Sequence, residues 1–252
     1  PMSATLVARG RSAGHGARFL FSGLDLVVAP GDVVGLVGAN GAGKSTLLSM
    51  AARLLPMDEG TVFVDDLDVL GTPSDQLARK LSILRQENSL SVRLSVRDLV
   101  AFGRHPHSKG RHTAADREHV ERALRYLQLE ELADRYVDEL SGGQRQRAFI
   151  AMVVAQDTDY VLLDEPLNNL DMKHAVEMMR LLRQMAHDLG KTVVLVIHDI
   201  NFASCYSDTI LAMREGRLLH QGSPEDVMQP DVLRDIYDID IRIEKIDGRR
   251  IG

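Results

Sequence analysis

The stretch that decides the fold is Val33-Val-Gly-Leu-Val-Gly-Ala-Asn-Gly-Ala-Gly-Lys-Ser45. Its first five residues carry no polar side chain, which is typical of a strand covered on both faces in a parallel sheet. The apolar stripe that follows predicts a helix from Lys44 to Leu55, stopped by Pro56. Between strand and helix the residues match G-x-x-x-x-G-K-[ST]. A loop of this composition at this place predicts a phosphate-binding site.

Each residue type in the loop has a physical role. Glycines let consecutive backbone N–H groups turn toward phosphate oxygens, and the N-terminus of the following helix adds partial positive charge. Lys44 can reach the terminal phosphates of a nucleotide, and Ser45 offers an oxygen to Mg²⁺. The residues expected to bind nucleotide here are Gly38, Asn40, Gly41, Gly43, Lys44, Ser45 and Thr46.

A second buried strand ends in two carboxylates, in the stretch Tyr160-Val-Leu-Leu-Asp164-Glu165. Ligands of open α/β sheets bind at the carboxyl ends of the strands, so both acids are expected at the same edge as the phosphate loop. Successive side chains of a strand point to opposite faces, so the two carboxylates are expected to point in different directions. We expect Asp164 to hold Mg²⁺, directly or through water, and Glu165 to polarise an attacking water.

The rest of the chain alternates strand and helix patterns, which favours an α/β fold. The apolar run from Thr192 to Ile197 predicts another central strand, preceded by a helix from Lys173 to Leu189 that stops at Gly190. Alternating apolar residues predict half-buried strands at both ends of the chain. They are Phe19, Phe21, Leu24, Leu26 and Val28 near the N-terminus, and Ile239, Ile241 and Ile243 near the C-terminus. A hairpin is expected around Glu215-Gly216.

Strand signals are absent between about residues 86 and 156. Ser95-x-x-Asp98 indicates a capping box, and residues 114–129 form an amphipathic helical pattern. The stretch Leu140-Ser141-Gly142-Gly143-Gln144 opens a further helix with a hydroxyl, glycine N–H groups and the helix dipole. We therefore expect a helical insertion that carries a second anion-binding helix terminus.

Composition excludes several classes of protein. The chain has 252 residues, 44% of them hydrophobic, so it can bury a substantial core. Thirty basic against 36 acidic residues give a net charge of −6, which argues against nucleic acid as a partner. No apolar run approaches the roughly 18 residues of a membrane span, and no signal-peptide pattern is present, so we expect a chain that neither crosses a membrane nor is exported. Cys205 is the single cysteine, so an internal disulfide is excluded.

The order of these motifs resembles the ATP-binding-cassette, or ABC, ATPase family from about Leu6 to Ile246. The resemblance implies an α/β fold of the P-loop NTPase class, with a mostly parallel sheet, an antiparallel β subdomain and a helical insertion. It implies one nucleotide-binding domain over residues 2–252. Its core would be about 2–85 and 157–252, and its helical subdomain about 86–156.

The resemblance also implies roles for residues that local patterns do not explain. Gln86 matches the family's glutamine that senses Mg²⁺ and the γ-phosphate, and His198 matches the histidine that contacts the γ-phosphate. Asp171 matches the aspartate of the loop that crosses the dimer interface. In the family, two chains enclose two ATP molecules. The phosphate loop of one chain then faces Ser141, Gly142, Gly143 and Gln144 of the second copy.

Two positions depart from the family pattern. The aromatic residue that stacks on adenine would fall near His15, with Phe19 as an alternative. The dimer-interface loop reads Asn168-Asn169-Leu170-Asp171 where Ser-Ala-Leu-Asp is commoner. The additional amides give this chain extra hydrogen-bonding capacity at the dimer interface.

Three stretches are similar to ATPase subunits of bacterial ferric-siderophore importers, most closely those serving catecholate-type siderophores. They are residues 94–107, 163–174 and 198–203. This similarity implies an integral membrane permease as partner, a substrate-binding protein as an indirect partner, and a peripheral location at the cytoplasmic face of the cell membrane. A soluble ABC ATPase, such as an iron–sulfur cluster assembly factor, is the alternative.

Residues 92–108 are the expected docking surface for a short cytoplasmic helix of that permease, because they follow Gln86 directly. The segment contains more apolar residues than one buried helix face needs, namely Leu94, Val96, Leu99, Val100 and Phe102. The alternative is that all five belong to the core.

Overall fold

The computed structural model describes residues 6–10, 14–15, 18–19, 24–57, 60–86, 88 and 90–252. Its strands are β1 Leu6–Gly10, β2 Gly14–His15, β3 Arg18–Phe19, β4 Leu24–Val28, β5 Val33–Val37, β6 Thr61–Val64, β7 Leu67–Asp68, β8 Leu81–Leu84, β9 Tyr160–Leu163, β10 Thr192–Val196, β11 Thr209–Arg214, β12 Arg217–Gly222, β13 Glu244–Ile246 and β14 Arg249–Ile251. Its helices are α1 Lys44–Ala51, α2 Ser74–Lys80, α3 Val96–Phe102, α4 His105–Ser108, α5 Ala114–Tyr126, α6 Gly142–Gln156, α7 Met172–Leu189, α8 Ile200–Tyr206, α9 Pro224–Val227 and α10 Pro230–Tyr237. Two short 3-10 helices cover Glu130–Leu132 and Val137–Glu139.

The central sheet has six strands in the order β12-β11-β5-β10-β9-β8. Every neighbouring pair from β11 to β8 is parallel, and β12 is added antiparallel at one edge. The three strands predicted from apolar runs, β5, β9 and β10, are buried along their whole length. Because parallel strands end at one edge, the segments after β5, β8, β9 and β10 meet there.

A second, antiparallel sheet contains the N-terminal strands in the order β4-β1-β6-β7. The alternation of Leu24, Leu26 and Val28 correctly predicts β4, which pairs with β1 from Leu6↔Val28 to Gly10↔Leu24. The short strands β2 and β3 pair His15 with Arg18 and Gly14 with Phe19. Phe21 lies outside the described residues.

Helices fill the described chain between Gln86 and Gln156, apart from one isolated bridge between Ser95 and Tyr136. Ser95 caps α3 by accepting a hydrogen bond from the backbone N–H of Asp98, as its spacing predicts. Asp98 Oδ2 accepts from the Ser95 hydroxyl, at 2.7 Å, so the reciprocal half of the predicted capping box is not formed. Helix α5 ends at Tyr126 rather than Leu129, because Gln128 adopts a positive φ of 55°. The apolar faces of α3, α5 and α6 share one core with the central sheet.

One further helix end and one predicted strand are wrong. Helix α1 ends at Ala51 and not at Leu55, since Arg53 turns to φ 57° and donates hydrogen bonds to the carbonyls of Val69 and Thr72, at 3.1 and 2.6 Å. The predicted strand through Ile239–Ile243 is irregular chain. Asp238, at φ 61°, ends α10, and the last hairpin begins only at Glu244.

Among the described residues, every helix is too short or too polar to serve as a membrane span.

Candidate nucleotide-binding site

The phosphate loop connects β5 to α1 through three glycines with positive φ. Gly38, Gly41 and Gly43 have φ values of 141°, 79° and 99°. At Gly38 a Cβ would lie 2.0 Å from the carbonyl oxygen of Met213 on β11, so both the dihedral and the close approach require glycine. The loop therefore packs directly on the sheet edge, with its backbone in a shape that side chains would prevent.

The ammonium group of Lys44 lies inside this loop. Its Nζ donates hydrogen bonds to the carbonyls of Gly38, at 2.8 Å, and Ala39, at 3.0 Å, and only 5% of the residue is exposed. Burial lowers the pKa of Lys44, while the negative charges of Glu165 and Asp164 act in the opposite direction. The loop thus holds a positive charge close to two carboxylates.

Ser45 and Asp164 join the first turn of α1 to the end of β9. The Ser45 hydroxyl donates to Asp164 Oδ1 at 2.7 Å, and Asp164 is 8% exposed. Burial first, and then the charge of Glu165, raise the pKa of Asp164, whereas the Ser45 hydrogen bond lowers it. The two residues place a hydroxyl and a carboxylate oxygen side by side. Among the described residues, His, Cys, Asp and Glu side chains do not gather in groups of three that could hold a metal.

The carboxylate of Glu165 accepts contacts from three side chains. Its Oε1 lies 2.7 Å from Nε2 of His198, and its Oε2 accepts a hydrogen bond from Nε2 of Gln86 at 2.7 Å. Asn168 Nδ2 donates to the same Oε2. Glu165 itself has φ 52°, a conformation that is uncommon outside glycine and that is found at functional sites. The structure thus brings Gln86, Glu165 and His198 together.

Sequence reasoning missed the contact between Asn168 and Glu165. It placed the extra amide at the dimer interface, whereas here the amide binds a carboxylate of its own chain. The available signal was the proline at 166, because Pro at the second position of a tight turn returns the fourth residue toward the first.

Ser141 caps α6, as predicted, and forms a reciprocal box with Gln144. The Gln144 N–H donates to the Ser141 hydroxyl at 3.3 Å, and the Ser141 N–H donates to the side-chain Oε1 of Gln144 at 3.0 Å. Asp171 caps α7 and accepts from the backbone N–H of His174 at 2.9 Å. The ring of His174 lies close to Gly143, where a Cβ would be 3.3 Å away. The capped end of α6 therefore adjoins the start of α7.

Within the described residues, no hydrogen bond joins Ser141, Gly142, Gly143 or Gln144, at the capped end of α6, to residues 38–46 of the phosphate loop. The backbone of His15 and of Phe19 lies in the β2–β3 hairpin, and the expectation that either ring stacks on adenine stays a prediction.

Comparison with known proteins identifies the class to which this fold and site belong. The family described as ABC transporter matches residues 21–168. The chain belongs to the ABC transporter family and is one of its ATP-binding cassettes.

Individual relatives match over nearly the full chain. This chain is 51% identical, over 97% of both chains, to the petrobactin import ATP-binding protein YclP of Bacillus subtilis strain 168. Its fold matches cbiO1 from Clostridium perfringens, part of the ABC transporter complex cbiONQ, with a TM-score of 0.81, 28% identity and coverage of 92% and 94%. It also matches a dimeric post-hydrolysis structure of the cassette MJ0796 bound to ADP and Pi, with a TM-score of 0.75, 27% identity and coverage of 88% and 98%.

Proposed function

We propose that this protein is the ATP-hydrolysing subunit that powers a membrane permease importing a ferric siderophore. The observation that carries the ATPase role is the position of Glu165, whose carboxylate contacts Gln86 and His198 beside the phosphate loop. The cargo is supported by the similarity to YclP, whose name assigns it to petrobactin import. The proposed catalytic core covers about 2–85 and 157–252, and the helical subdomain about 86–156.

The phosphate loop supplies the binding energy for the nucleotide. Backbone N–H groups of a loop of this kind bind phosphate oxygens, and the start of α1 adds the charge of a helix N-terminus. Lys44 then exchanges its two loop carbonyls for the terminal phosphates of ATP. The proposed nucleotide-contacting residues of this chain's loop are Gly38, Asn40, Gly41, Gly43, Lys44, Ser45 and Thr46. His15, or alternatively Phe19, stacks on the adenine.

Ser45, Asp164 and Gln86 fit a magnesium site. Mg²⁺ prefers oxygen ligands and retains several waters, so a hydroxyl and one carboxylate suffice on the protein side. The buried carboxylate of Asp164, with its raised pKa, is the type of group that a cation stabilises in its ionised form. When bound, Mg²⁺ neutralises charge on the phosphate oxygens.

Glu165 is the proposed general base. A water oxygen forms a bond to the γ-phosphorus, the bond from that phosphorus to the bridging oxygen breaks, and the electron pair stays on ADP. The water's proton passes to the Glu165 carboxylate. Gln86 and His198 contact the γ-phosphate, so the groups that hold Glu165 in this structure also respond to ATP.

A second copy of the chain completes each site. Ser141, Gly142, Gly143 and Gln144 form a capped helix terminus suited to phosphate, yet no hydrogen bond of the described chain joins them to residues 38–46. Asp171 lies beside that terminus at the start of α7. The similarity to the MJ0796 cassette, whose structure is dimeric, supports a dimer here. Each ATP is then bound between the phosphate loop of one chain and the capped α6 of its partner.

The docking surface for the permease is proposed at residues 92–108. Val96, Leu99 and Val100 are buried in the core, so they are not available to a partner. Val92 and Phe102 are 62% and 54% exposed. A groove of about 320 Å³ beside Val92 runs between this segment and residues 137–145. Movement of Gln86 toward ATP would displace the groove and bias the permease between two states.

The expected location is the cytoplasmic face of the cell membrane, peripheral to the permease, with a substrate-binding protein as an indirect partner. The names of the relatives do not favour the soluble iron–sulfur assembly alternative, since YclP is an import protein. Nucleic acid is not a proposed partner.

The decisive test is assembly with a permease together with uptake. The protein is coexpressed with a candidate siderophore permease, copurification is measured, and ⁵⁵Fe-petrobactin uptake is followed in cells that lack their own copy of the subunit. Val92→Glu and Phe102→Glu should abolish copurification and uptake while the ATPase activity of the free subunit persists.

The matched control is Leu70→Glu, because Leu70 is apolar and 47% exposed outside the docking surface. It should leave copurification and uptake intact. If the wild-type protein neither copurifies with the permease nor restores uptake while hydrolysing ATP, the soluble alternative replaces the importer assignment.

A further inference from the structure

The side chain of Asn168 is placed on Glu165 by a tight turn. The backbone N–H of Asn168 donates to the carbonyl of Glu165 at 3.1 Å, which closes the turn. Pro166 occupies its second position, where its fixed φ is favourable. The turn directs the Asn168 carboxamide back to Oε2 of Glu165.

The other two partners of Glu165 come from separate strands. Gln86 follows β8 and His198 follows β10, and these strands flank β9 in the sheet. Asn168, by contrast, belongs to the same loop as Glu165 and moves with it. Gln86 and His198 would release the Glu165 carboxylate when they contact a γ-phosphate. Of the donors described here, Asn168 would then still bind that carboxylate.

We propose that Asn168 is a positioning residue for ATP hydrolysis. Its amide holds Oε2, so that Oε1 faces the attacking water. This inference rests on the proposed role of Glu165 as general base. A neutral donor suits the task because hydrogen bonding to a carboxylate favours its ionised form without adding a counter-charge.

The residue type at this position affects the reach of the donor. Serine, which is commoner here in the family, carries its hydroxyl one bond from Cβ, while the asparagine amide extends one bond further. The longer side chain is what reaches Glu165 across the turn in this structure.

Removing the amide should lower turnover without weakening ATP binding. Asn168→Ala loses one hydrogen bond to a charged group, and we expect kcat to fall about tenfold with KM for ATP unchanged. Asn168→Ser retains a donor and should recover part of that loss. Steady-state kinetics on the full-length protein, with binding of a fluorescent ATP analogue, separate the two parameters.

A charge at the same position gives a second readout. Asn168→Asp replaces the donor with a carboxylate that repels Glu165, so kcat should fall at least as far as in Asn168→Ala while KM for ATP stays unchanged. The charged and titratable groups facing Glu165 are Lys44, Asp164 and His198, and none of them changes in this variant.

The matched control for charge is Gln76→Glu. Gln76 is exposed on α2, and the substitution makes the same amide-to-carboxylate change there. It should leave kcat and KM as in the wild type. Circular dichroism and the unfolding temperature establish that each variant is folded.

The outcomes separate this inference from the function on which it rests. If Glu165→Gln keeps near-normal turnover, the role of Glu165 fails, and the inference fails with it. If Glu165→Gln is inactive while Asn168→Ala and Asn168→Asp both keep the wild-type kcat, only the positioning role is overturned. A rise in KM at constant kcat in Asn168→Ala would likewise overturn it. Should Asn168→Ala not fold, the Ser and Asp variants decide.

Discussion

Separating Arg104 from Asp116 is expected to destabilise the helical insertion more than any surface change. Arg104 Nε donates to Asp116 Oδ1 at 2.9 Å, and both side chains are only 6% exposed. Arg104 also donates to the carbonyl of Ala155 near the end of α6, at 2.8 Å. Asp116 Oδ2 accepts from the N–H and hydroxyl of Thr113, at 2.9 and 2.8 Å, in the cap of α5. The pair therefore joins the starts of α4 and α5 to the end of α6.

The expected loss of stability follows from the burial of this ion pair. Removing one partner of a buried pair leaves an uncompensated charge and costs about 3–5 kcal/mol. For a chain of this length each kcal/mol lowers the unfolding temperature by about 2–4 °C, so Arg104→Met or Asp116→Asn should lower it by roughly 6–20 °C. The double variant Arg104→Met/Asp116→Asn should recover more than about 1 kcal/mol of the summed loss, because neither charge then remains.

The pair also predicts an acid dependence of stability. The hydrogen bond from the Thr113 N–H, followed by the Thr113 hydroxyl and Arg104, holds the pKa of Asp116 well below its usual range. A pKa lowered on folding stabilises the protein above the ordinary aspartate pKa of about 4, and this contribution is lost progressively as the pH falls below it. Between about pH 5 and pH 3, the free energy of unfolding of the wild type should fall more than that of Asp116→Asn.

Guanidinium unfolding followed by circular dichroism measures both effects. Arg125→Met on α5 is the control, since Arg125 pairs with Glu130 at 3.4 Å while 71% exposed and should cost less than about 1 kcal/mol. If the Arg104 and Asp116 variants cost no more than this control, or show no coupling in the double variant, the pair does not have the assigned role.

Three further predictions concern the nucleotide site. Gly38→Ala should lose most of its ATP affinity, because its Cβ would meet the Met213 carbonyl at 2.0 Å, and normal affinity in equilibrium binding would contradict the close packing of the loop. Glu165→Gln should lower turnover by about 10²- to 10⁴-fold while still binding ATP and accumulating a closed dimer, and size-exclusion chromatography with ATP would refute this if only monomer elutes. Lys44→Ala and Ser141→Arg should each lack ATPase activity. A mixture of the two should regain it, because each mixed dimer has one intact site. If the ATPase activity does not recover at any protein concentration, the two-chain site is excluded.

Much of this protein follows from short stretches of sequence because the relevant physics is local. The glycines before Lys44 allow the loop dihedrals, and the position of the loop between an apolar run and a helical pattern predicts its function. The caps at Ser95 and Ser141 are likewise correctly predicted, since their hydrogen bonds span three residues. The end of α7 at Gly190 follows from the left-handed conformation that glycine adopts readily.

Other features depend on partners distant in the chain, and only the tertiary structure determines them. The early end of α1 depends on carbonyls of Val69 and Thr72 that accept from Arg53, and no local propensity predicts them. The contact of Gln86 with Glu165 joins residues 79 positions apart, and it exists because β8 and β9 are neighbours in the sheet. The burial of Arg104 with Asp116 is decided by packing against α6. A sequence pattern specifies which dihedrals and faces are possible, whereas the choice among side-chain partners is made by the strand order and helix packing that bring distant residues together.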